Sequence, residues 1–403
     1  MVTKVRLAAV FTLNMAQGMP ASFFAIGLPA LLRESGATLD VVAMSYLVWA
    51  PWALKWLWGS SLDSGRSLLG RIGRDIVWLP PLTAGCFLIL LPFPPSLAVW
   101  PIFAVGLACS FISATLQMAL SRWIVHMEDD ERRRALLNSV QVAGMTTGAM
   151  IGGSLVVFLS AWLSWAAAIA AVSLLVAAAS LPFLLTKRGQ GPAANEVTST
   201  TPMGVASAVA ALLHRPGVVR LLLLMLFSDL ATGSDILLPA LLVDAGYDAT
   251  TTTFLLSTLA MVAIVPSSLV TGSVLRAIGT ERVFVSLLLA KALVLALLGA
   301  RPVDEAWVVA SLGILSMVIT AVVAITYLQI YMRVASIETA ASDIAILTSI
   351  RAIYLMAGAM GGGFIASHVS YAQLFWTGSV LSLAAAGLAL GRIVPARGAR
   401  QVR

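Results

Sequence analysis

Charged residues are scarce in this sequence. Of its 403 residues, 11% are Asp, Glu, Lys or Arg, less than half the roughly 25% that soluble globular domains carry. So few charges cannot cover a water-facing surface. Apolar residues make up 60% of the chain, which suffices for roughly twelve membrane-spanning helices of about 20 residues each. A soluble globular protein is therefore excluded.

Cysteine and histidine are also rare. The two cysteines, Cys86 and Cys109, lie inside apolar runs, so the sequence predicts no disulfide framework and no thiolate metal site. The three histidines, His126, His214 and His368, lie far apart in the sequence. No metal cluster or catalytic triad is visible, and we expect neither enzymatic activity nor a bound cofactor or metal.

A nucleotide-binding P-loop is missing as well. That loop requires a glycine directly before its lysine, because the backbone cradle must deliver the ammonium group to the phosphates. The four lysines follow Thr3, Leu54, Thr186 and Ala290. This chain therefore does not drive transport with nucleotide, although a separate ATPase subunit stays possible.

Twelve apolar runs are long enough to cross about 30 Å of hydrocarbon. They lie at residues 7–32, 40–60, 76–94, 97–120, 137–159, 162–185, 218–242, 251–275, 283–300, 305–329, 344–366 and 370–391, and are called spans 1 to 12. Residues 186–201 are polar and rich in Gly, Pro, Ser and Thr, and a short amphipathic helix is predicted at 203–214. We predict an all-α integral membrane protein with an N-terminal six-helix bundle (1–185), a linker (186–216) and a C-terminal six-helix bundle (217–403).

The basic residues indicate the orientation of these spans. The first run is too long for a signal-peptide core and is predicted to be a retained helix. Twenty of the 25 Lys and Arg residues fall in one set of loops, and only Arg33 and Arg301 fall in the other. By the positive-inside rule, both termini and the linker are cytoplasmic. The net charge of +7 is thus a topology signal, and we expect the lipid bilayer as partner and no nucleic acid.

The two halves of the chain repeat each other at an offset of 210 residues. At this offset, the sequence Pro-Ala-Leu-Leu at 29–32 recurs at 239–242, Gly36 aligns with Gly246, and Gly148-Ala-Met aligns with Gly358-Ala-Met. Six spans per half make the repeats parallel, related by an axis along the membrane normal. This arrangement is typical of two-domain secondary transporters, which hold their substrate between the halves.

A loop motif between spans 2 and 3 carries a family resemblance. Residues 59–66 read GSSLDSGR, which resembles the Gly-x-x-x-Asp-x-Gly-Arg signature of the major facilitator superfamily. The resemblance implies that Asp63 caps a helix and pairs with basic groups, so that a conformational latch joins the halves. That latch comprises Gly59, Asp63, Gly65 and Arg66. The copy after span 8 has Arg276 in place of the aspartate, which implies a weaker latch in the second half.

Three segments near the N-terminus resemble one branch of that superfamily. They are residues 17–20 (QGMP), 27–29 (GLP) and 51–58 (PWALKWLW). This branch contains muropeptide permeases, acetyl-CoA transporters and ferric-siderophore permeases of the RhtX/FptX type, and the likeness is nearest to the last. It implies an inner-membrane importer of an iron-siderophore complex. We expect a monomer that works by alternating access and is coupled to protons.

Two other functions stay open. One is a muropeptide or other sugar-peptide permease of the same branch. The other is a non-transporting membrane receptor or scaffold, although paired glycine-rich helices and a latch motif argue against it. Glycines of spans 5 and 11 are predicted to allow close helix approach at the interface between the halves: Gly144, Gly148, Gly152, Gly153, Gly358 and Gly361 to Gly363.

Five ionisable residues lie inside spans. They are Lys55, Asp229, Asp235, Lys291 and Arg351. Each costs about 2.5 to 3.5 kcal/mol on insertion scales, so each should face a cavity or a partner. Their formal sum is one positive charge, which would suit an anionic ligand. The alternative is that desolvation neutralises one of the lysines.

The two aspartates of span 7 are candidates for proton coupling. Asp229 is the better candidate because it lies nearer the bilayer centre than Asp235. The alternative is a structural ion pair of these aspartates with Lys55 or Arg351. Lys291 is expected to be structural, because the family resemblance makes span 9 peripheral.

Seven residues are candidates for substrate binding. Lys55 lies between Trp52 and Trp56, and flat indoles beside an ammonium group could stack an aromatic, anionic chelate. The alternative is a tryptophan-rich packing face with a structural lysine. The other candidates, on spans 4, 10 and 11, are Gln117, Gln329, Arg351 and Tyr354.

Overall fold

The computed structural model describes residues 4–58, 72–95, 99–127, 131–185, 205–300, 305–334 and 340–390. Every regular element in these ranges is a helix, as the apolar runs predict. The latch residues Gly59, Asp63, Gly65 and Arg66 lie outside the described residues. A helix lies at Val205–Leu213, within the predicted linker and inside the range predicted for the amphipathic helix.

The chain divides into two compact units. Unit 1 comprises Met1–Ala37, Ser45–Pro202 and Asp248–Met261, and unit 2 comprises Thr38–Met44, Met203–Tyr247 and Val262–Arg403. The start of span 2 thus groups with unit 2 and the start of span 8 with unit 1. The predicted division at residues 185 and 217 did not include this exchange of segments.

The helices of the N-terminal sequence half follow spans 1 to 6. They are α-helices at Lys4–Ser22, Leu28–Glu34, Leu39–Met44, Ala50–Leu54, Ile72–Leu88, Val99–Met127, Glu131–Trp162, Trp165–Ala178 and Leu181–Leu184, with a π-helix at Phe23–Gly27 and a 3₁₀ helix at Ser45–Trp49. Span 1 packs most extensively against span 5. A core cluster that includes Val10, Leu13, Leu116, Trp123 and Phe183 joins spans 1, 4 and 6 of unit 1.

The helices of the C-terminal sequence half follow spans 7 to 12. They are α-helices at Val218–Thr232, Leu238–Asp244, Ala249–Thr253, Ala260–Ile278, Thr280–Ala300, Ala306–Val334, Ala340–His368 and Tyr371–Ala389, with a 3₁₀ helix at Gly233–Leu237 and a π-helix at Phe254–Leu259. In unit 2, span 9 packs against spans 10 and 12, and span 7 packs against spans 11 and 12.

Ten helical stretches in the described ranges are long and apolar enough to cross a membrane. Spans 2 and 3 are shorter in these ranges. Span 2 is divided around its 3₁₀ stretch, and span 3 is an apolar helix at Asp75–Leu88 that contains Pro80 and Pro81. Large apolar side chains such as Trp100, Trp162 and Trp307 stand exposed near helix ends, where tryptophan is enriched at the membrane interface. The protein is a multi-pass membrane protein.

The sequence repeat is also a structural repeat. The last helix of span 1 ends two residues before Gly36, and the last helix of span 7 ends two residues before Gly246. Both glycines have positive φ, +88° and +101°. The Gly36 amide donates to the Arg33 carbonyl at 2.9 Å, and the Gly246 amide donates to the Val243 carbonyl at 3.0 Å. Because only glycine adopts this conformation without strain, the aligned glycines fix the same helix end in both copies.

The repeats differ in how their helices are wound. The π-helix of span 1, Phe23–Gly27, and the 3₁₀ helix of span 7, Gly233–Leu237, occupy the same positions at the 210-residue offset. The 3₁₀ helix of span 2, Ser45–Trp49, overlaps in the same way with the π-helix of span 8, Phe254–Leu259. Short 3₁₀ and π stretches inside longer helices often mark functional positions.

The prediction for the glycines of spans 5 and 11 is corrected in one respect. Gly144, Gly148 and Gly152 lie against the backbone of span 1, at Phe11, Met15 and Met19, inside unit 1. Gly358 lies against the backbone of Asp229 and Leu230, inside unit 2. A Cβ at these four positions would meet main-chain atoms, so these glycines allow close approach within their own sequence half. The prediction is confirmed for Gly153 and Gly363, where a Cβ would meet Ser257 and Ala43 of the other sequence half. By contrast, a Cβ on Gly361 would meet no atom of the described residues within 4 Å.

Candidate functional site

The first buried ion pair joins Asp229 of span 7 to Arg351 of span 11 in unit 2. The Arg351 Nε atom donates to Asp229 Oδ1 at 3.1 Å, and the Asp229 side chain is only 1% exposed. The second carboxylate oxygen, Oδ2, is buried and has no hydrogen-bond partner within the described ranges. An unsatisfied buried oxygen is costly, and it can accept either a proton or a donor from a ligand.

An aromatic group missing from the sequence prediction completes this site. The Arg351 guanidinium lies over the Tyr327 ring, 5.2 Å from its centroid, and the Tyr327 hydroxyl is hydrogen-bonded to the Ser228 hydroxyl. Tyr331 stacks on Tyr327 with 5.8 Å between ring centroids. The sequence contained one indication of Tyr327. It aligns with Gln117 at the repeat offset, so both halves carry a polar group at this position.

The second buried ion pair, also in unit 2, joins Asp235 to Lys291 of span 9. The Lys291 ammonium donates to Asp235 Oδ1 at 2.8 Å and Oδ2 at 2.6 Å. It also contacts the hydroxyls of Ser316 at 2.6 Å and Thr320 at 2.9 Å. The structural alternative for Asp235 named Lys55 or Arg351 as its partner, but its partner is Lys291. Both of its carboxylate oxygens are satisfied, unlike those of Asp229.

In unit 1, Lys55 lies among the residues that the sequence singled out with it. Its ammonium group is 5.3 Å from the centroid of the Trp52 ring and 3.4 Å from Gln117 Oε1. Gln117 belongs to span 4, and this contact therefore joins spans 2 and 4. Lys55 has no carboxylate partner within the described ranges, so its charge is available to an anionic group.

An aromatic stripe leads along span 2 to Lys55. Tyr46 and Trp49 have ring centroids 6.1 Å apart, and Trp49 and Trp52 have centroids 6.0 Å apart. The 3₁₀ stretch Ser45–Trp49 has three residues per turn, so side chains three apart share a face. The sequence prediction assumed an α-helical period and therefore missed Tyr46 and Trp49. The indole Nε1 of Trp49 is buried with no partner among the described residues.

Several predicted site residues are not part of these groups. Among the described residues, the Lys55 ammonium lies over the Trp52 ring and not over the Trp56 ring. Gln329 is exposed and Tyr354 is partly buried on span 11, one turn from Arg351. The described contacts thus assemble Lys55, Trp52 and Gln117 in unit 1, and Arg351 with Asp229 in unit 2.

Curated relatives match part of the chain. Transporter AmpG 4 of Rickettsia felis is 24% identical over 168 residues, which is 40% of this chain and 40% of that protein. The protein of the same name from Rickettsia conorii is 23% identical over 159 residues, 38% of each chain. The match therefore spans about two fifths of the length of these relatives.

Solved transporter structures share the fold over almost the whole chain. A D-xylose-proton symporter has a TM-score of 0.73 at 12% identity, covering 97% of this chain and 98% of its own. The peptide transporter POT in complex with sulfate has a TM-score of 0.73 at 14% identity, covering 95% and 93%. At these identities the likeness establishes the fold alone, which is the twelve-helix fold of these transporters.

The family follows from a longer match. The family model of the Major Facilitator Superfamily matches residues 10–354, which include most of both sequence halves and the ionic groups described above. This match confirms the resemblance found in the loop motif and in the repeat. The chain belongs to the Major Facilitator Superfamily and is a membrane transporter of that type.

Proposed function

We propose that this protein is a proton-coupled secondary transporter of the bacterial inner membrane, with both termini in the cytoplasm, that imports an anionic, ring-bearing sugar-peptide by alternating access. The observation that carries the proposal is the Asp229–Arg351 pair. Its carboxylate is 1% exposed, and one of its oxygens has no partner in the described part of the chain.

The coupling follows from the charges of this pair. When a proton binds Asp229 Oδ2, the carboxyl group becomes neutral and the ion pair with Arg351 is lost. Arg351 then carries an uncompensated charge in a buried place, which is costly. An anionic group of the solute can compensate that charge, so protonation and solute binding favour each other. The two are then carried together.

The substrate class rests on unit 1 and on the relatives. The stripe of Tyr46, Trp49 and Trp52 offers apolar ring faces, while Lys55 and Gln117 offer polar groups at its end. Mostly apolar sites with a few placed polar groups are typical for small-molecule ligands. The relatives named AmpG support the muropeptide side of the branch identified from the sequence. A muropeptide, which joins sugar rings to an acidic peptide, matches both features.

A ferric siderophore is the second candidate. The specific observation in its favour is the Lys55 ammonium over the Trp52 ring, which would suit a phenolate-bearing chelate through charge and ring stacking. This substrate stays a prediction from the sequence resemblance. Both candidates use the same groups of unit 1 and differ in the size and rigidity of the solute.

Uptake into proteoliposomes tests the proposal. Purified protein is reconstituted, a pH gradient is imposed, and accumulation of a labelled anhydro-muropeptide is compared with that of labelled ferric pyochelin. We expect the muropeptide to accumulate and a protonophore to abolish its accumulation. Accumulation of the chelate alone would favour the second candidate. Accumulation that is unchanged by the protonophore would overturn proton coupling, and movement of neither solute would overturn the substrate class.

A further inference from the structure

The cluster around Asp235 in unit 2 is a cage of oxygen atoms. Asp235 of span 7 contributes both carboxylate oxygens, and Ser316 and Thr320 of span 10 contribute their hydroxyls. The Ser316 carbonyl lies 3.4 Å from the same point. At that point sits the Lys291 ammonium of span 9, with four of these five oxygens between 2.6 and 2.9 Å from Nζ.

The side chains of the cage are also hydrogen-bonded to one another. The Ser316 hydroxyl donates to Asp235 Oδ1 at 2.7 Å, and the Thr320 hydroxyl donates to Asp235 Oδ2 at 2.8 Å. Ser316 and Thr320 are four residues apart on one helix and therefore share a face. Because each hydroxyl uses its proton on the carboxylate, its lone pairs are left for a cation. The cage is therefore arranged by contacts that do not involve the lysine.

The chemistry of the cage is that of a small cation site. Carboxylate, hydroxyl and carbonyl oxygens are the ligands of hard cations, and one carboxylate matches one positive charge. The lysine ammonium is itself a compact monovalent cation that only donates hydrogen bonds. It is 4% exposed and enters the cage from a separate helix.

The fold does not require this cluster. At the repeat offset, unit 1 has Ala25, Pro81, Gly106 and Ser110 in place of Asp235, Lys291, Ser316 and Thr320. A Cβ on Gly106 would meet the ring of Phe24 at 2.9 Å, so an aromatic side chain fills the space there. Unit 1 therefore packs the equivalent position without charged side chains. We infer that the charged cluster of unit 2 has a role other than packing.

We propose that Asp235, Ser316 and Thr320 form a monovalent-cation site that Lys291 fills with its own ammonium group. The protein thus carries a tethered cation where a free sodium or ammonium ion would otherwise bind. This holds span 10 to the 3₁₀ turn of span 7, Gly233–Leu237, which contains Asp235. It also makes the cage of the parent protein unavailable to sodium.

Removal of the tethered cation tests the proposal. Lys291→Ala is purified in detergent, and its thermal unfolding midpoint is measured in sodium, ammonium, potassium and choline chloride at equal ionic strength. We expect a saturable upward shift of the midpoint with sodium or ammonium, because an ion that binds only the folded state stabilises it. Choline, which is too large for the cage, should give no shift, and the parent protein should respond equally to all four salts.

Two control variants separate the cage from general salt effects. Asp235→Asn combined with Lys291→Ala lacks the carboxylate and should lose the shift. Lys291→Met keeps the side-chain volume without the charge and should also give no shift. Equal midpoints of Lys291→Ala in all four salts would overturn the proposal, as would an undiminished shift in the double variant.

A further variant is used if Lys291→Ala folds poorly. Lys291→Ser retains a polar group beside the cage and should fold in sodium or ammonium chloride. If Lys291→Ala and Lys291→Ser both fail to fold even in high concentrations of sodium and ammonium, the cage does not accept a free cation. That result would also overturn the proposal.

Discussion

Units 1 and 2 contain the same helical repeat but place their charges at different positions. In unit 2, Asp229 and Arg351 stand where unit 1 has Met19 and Gln141. In unit 1, Lys55 stands where unit 2 has Val265. The capping glycines and the close helix contacts are common to both, so the scaffold is shared and the chemistry is not.

This difference separates two tasks. The paired charges of unit 2 are satisfied internally, apart from Asp229 Oδ2, which suits a group that takes up a proton. The charge of unit 1 has an aromatic ring and an amide as neighbours, which suits a group that meets a solute. We therefore propose that coupling lies in unit 2 and that the rings of the solute are recognised in unit 1.

The largest expected effect comes from breaking the ion pair of unit 2. Arg351→Met leaves the Asp229 carboxylate buried without a partner, and we expect a loss of about 3 to 5 kcal/mol in stability. The double variant Asp229→Asn with Arg351→Met should recover most of it. Unfolding in detergent measures this. Gln141→Met, at the equivalent position of unit 1, is the control and should change little. A single variant as stable as the parent would contradict the assignment.

The shared scaffold predicts an equal effect in both units. Gly148→Ala and Gly358→Ala each place a methyl group against main-chain atoms, and overpacking of this kind costs about 1 to 3 kcal/mol. Gly361→Ala meets open space and is the control. Thermal unfolding of the three variants should show two comparable losses and one unchanged value. A loss in only one unit would mean that the repeats do not share their packing.

The recognition task of unit 1 predicts an effect that depends on the solute. Lys55→Met keeps length and apolar area but removes the charge, so affinity for an anionic solute should fall by about 1 to 2 kcal/mol. Affinity for a neutral analogue should stay the same. Val265→Met, at the equivalent position of unit 2, is the control for side-chain change. Binding measured by scintillation proximity decides this, and equal losses for both solutes would remove Lys55 from the site.

The smallest expected effect concerns the unpartnered indole of Trp49. Trp49→Phe keeps an aromatic ring in the stripe but removes the buried Nε1 donor. If that donor serves the solute, affinity should fall by about 1 kcal/mol, a typical value for one hydrogen bond, while stability is unchanged. Trp56→Phe, whose ring lies outside the Lys55 contact, is the control. Unchanged affinity in Trp49→Phe would exclude this donor from recognition.

The sequence predicts the helical architecture and much of the charge distribution. The repeat at Gly36 and Gly246 was visible because the same helix end needs the same residue. The five ionisable residues were visible because their cost in a membrane demands partners. The pairing of Asp235 with Lys291 was not visible in the sequence, because these residues are 56 positions apart and are brought together only by helix packing.

The positions of the π and 3₁₀ stretches could not be predicted from the sequence either. The π and 3₁₀ stretches at Phe23–Gly27 and Gly233–Leu237 occupy aligned positions, and nothing in their composition tells one from the other. The 3₁₀ stretch of span 2 changed which residues share a face with Lys55. Tyr46 and Trp49 were therefore missed, whereas Trp56 was predicted in the site because it is next to Lys55 in the sequence.

The most direct test of the division of tasks is transport by Asp229→Asn in proteoliposomes. Accumulation driven by a pH gradient is compared with solute exchange at equilibrium. The control is Asp244→Asn, an exposed carboxylate at the end of the helix that follows Asp229 and Asp235. We predict that Asp229→Asn retains exchange and loses accumulation, while the control keeps both. Accumulation by Asp229→Asn at the level of the parent protein would contradict the account.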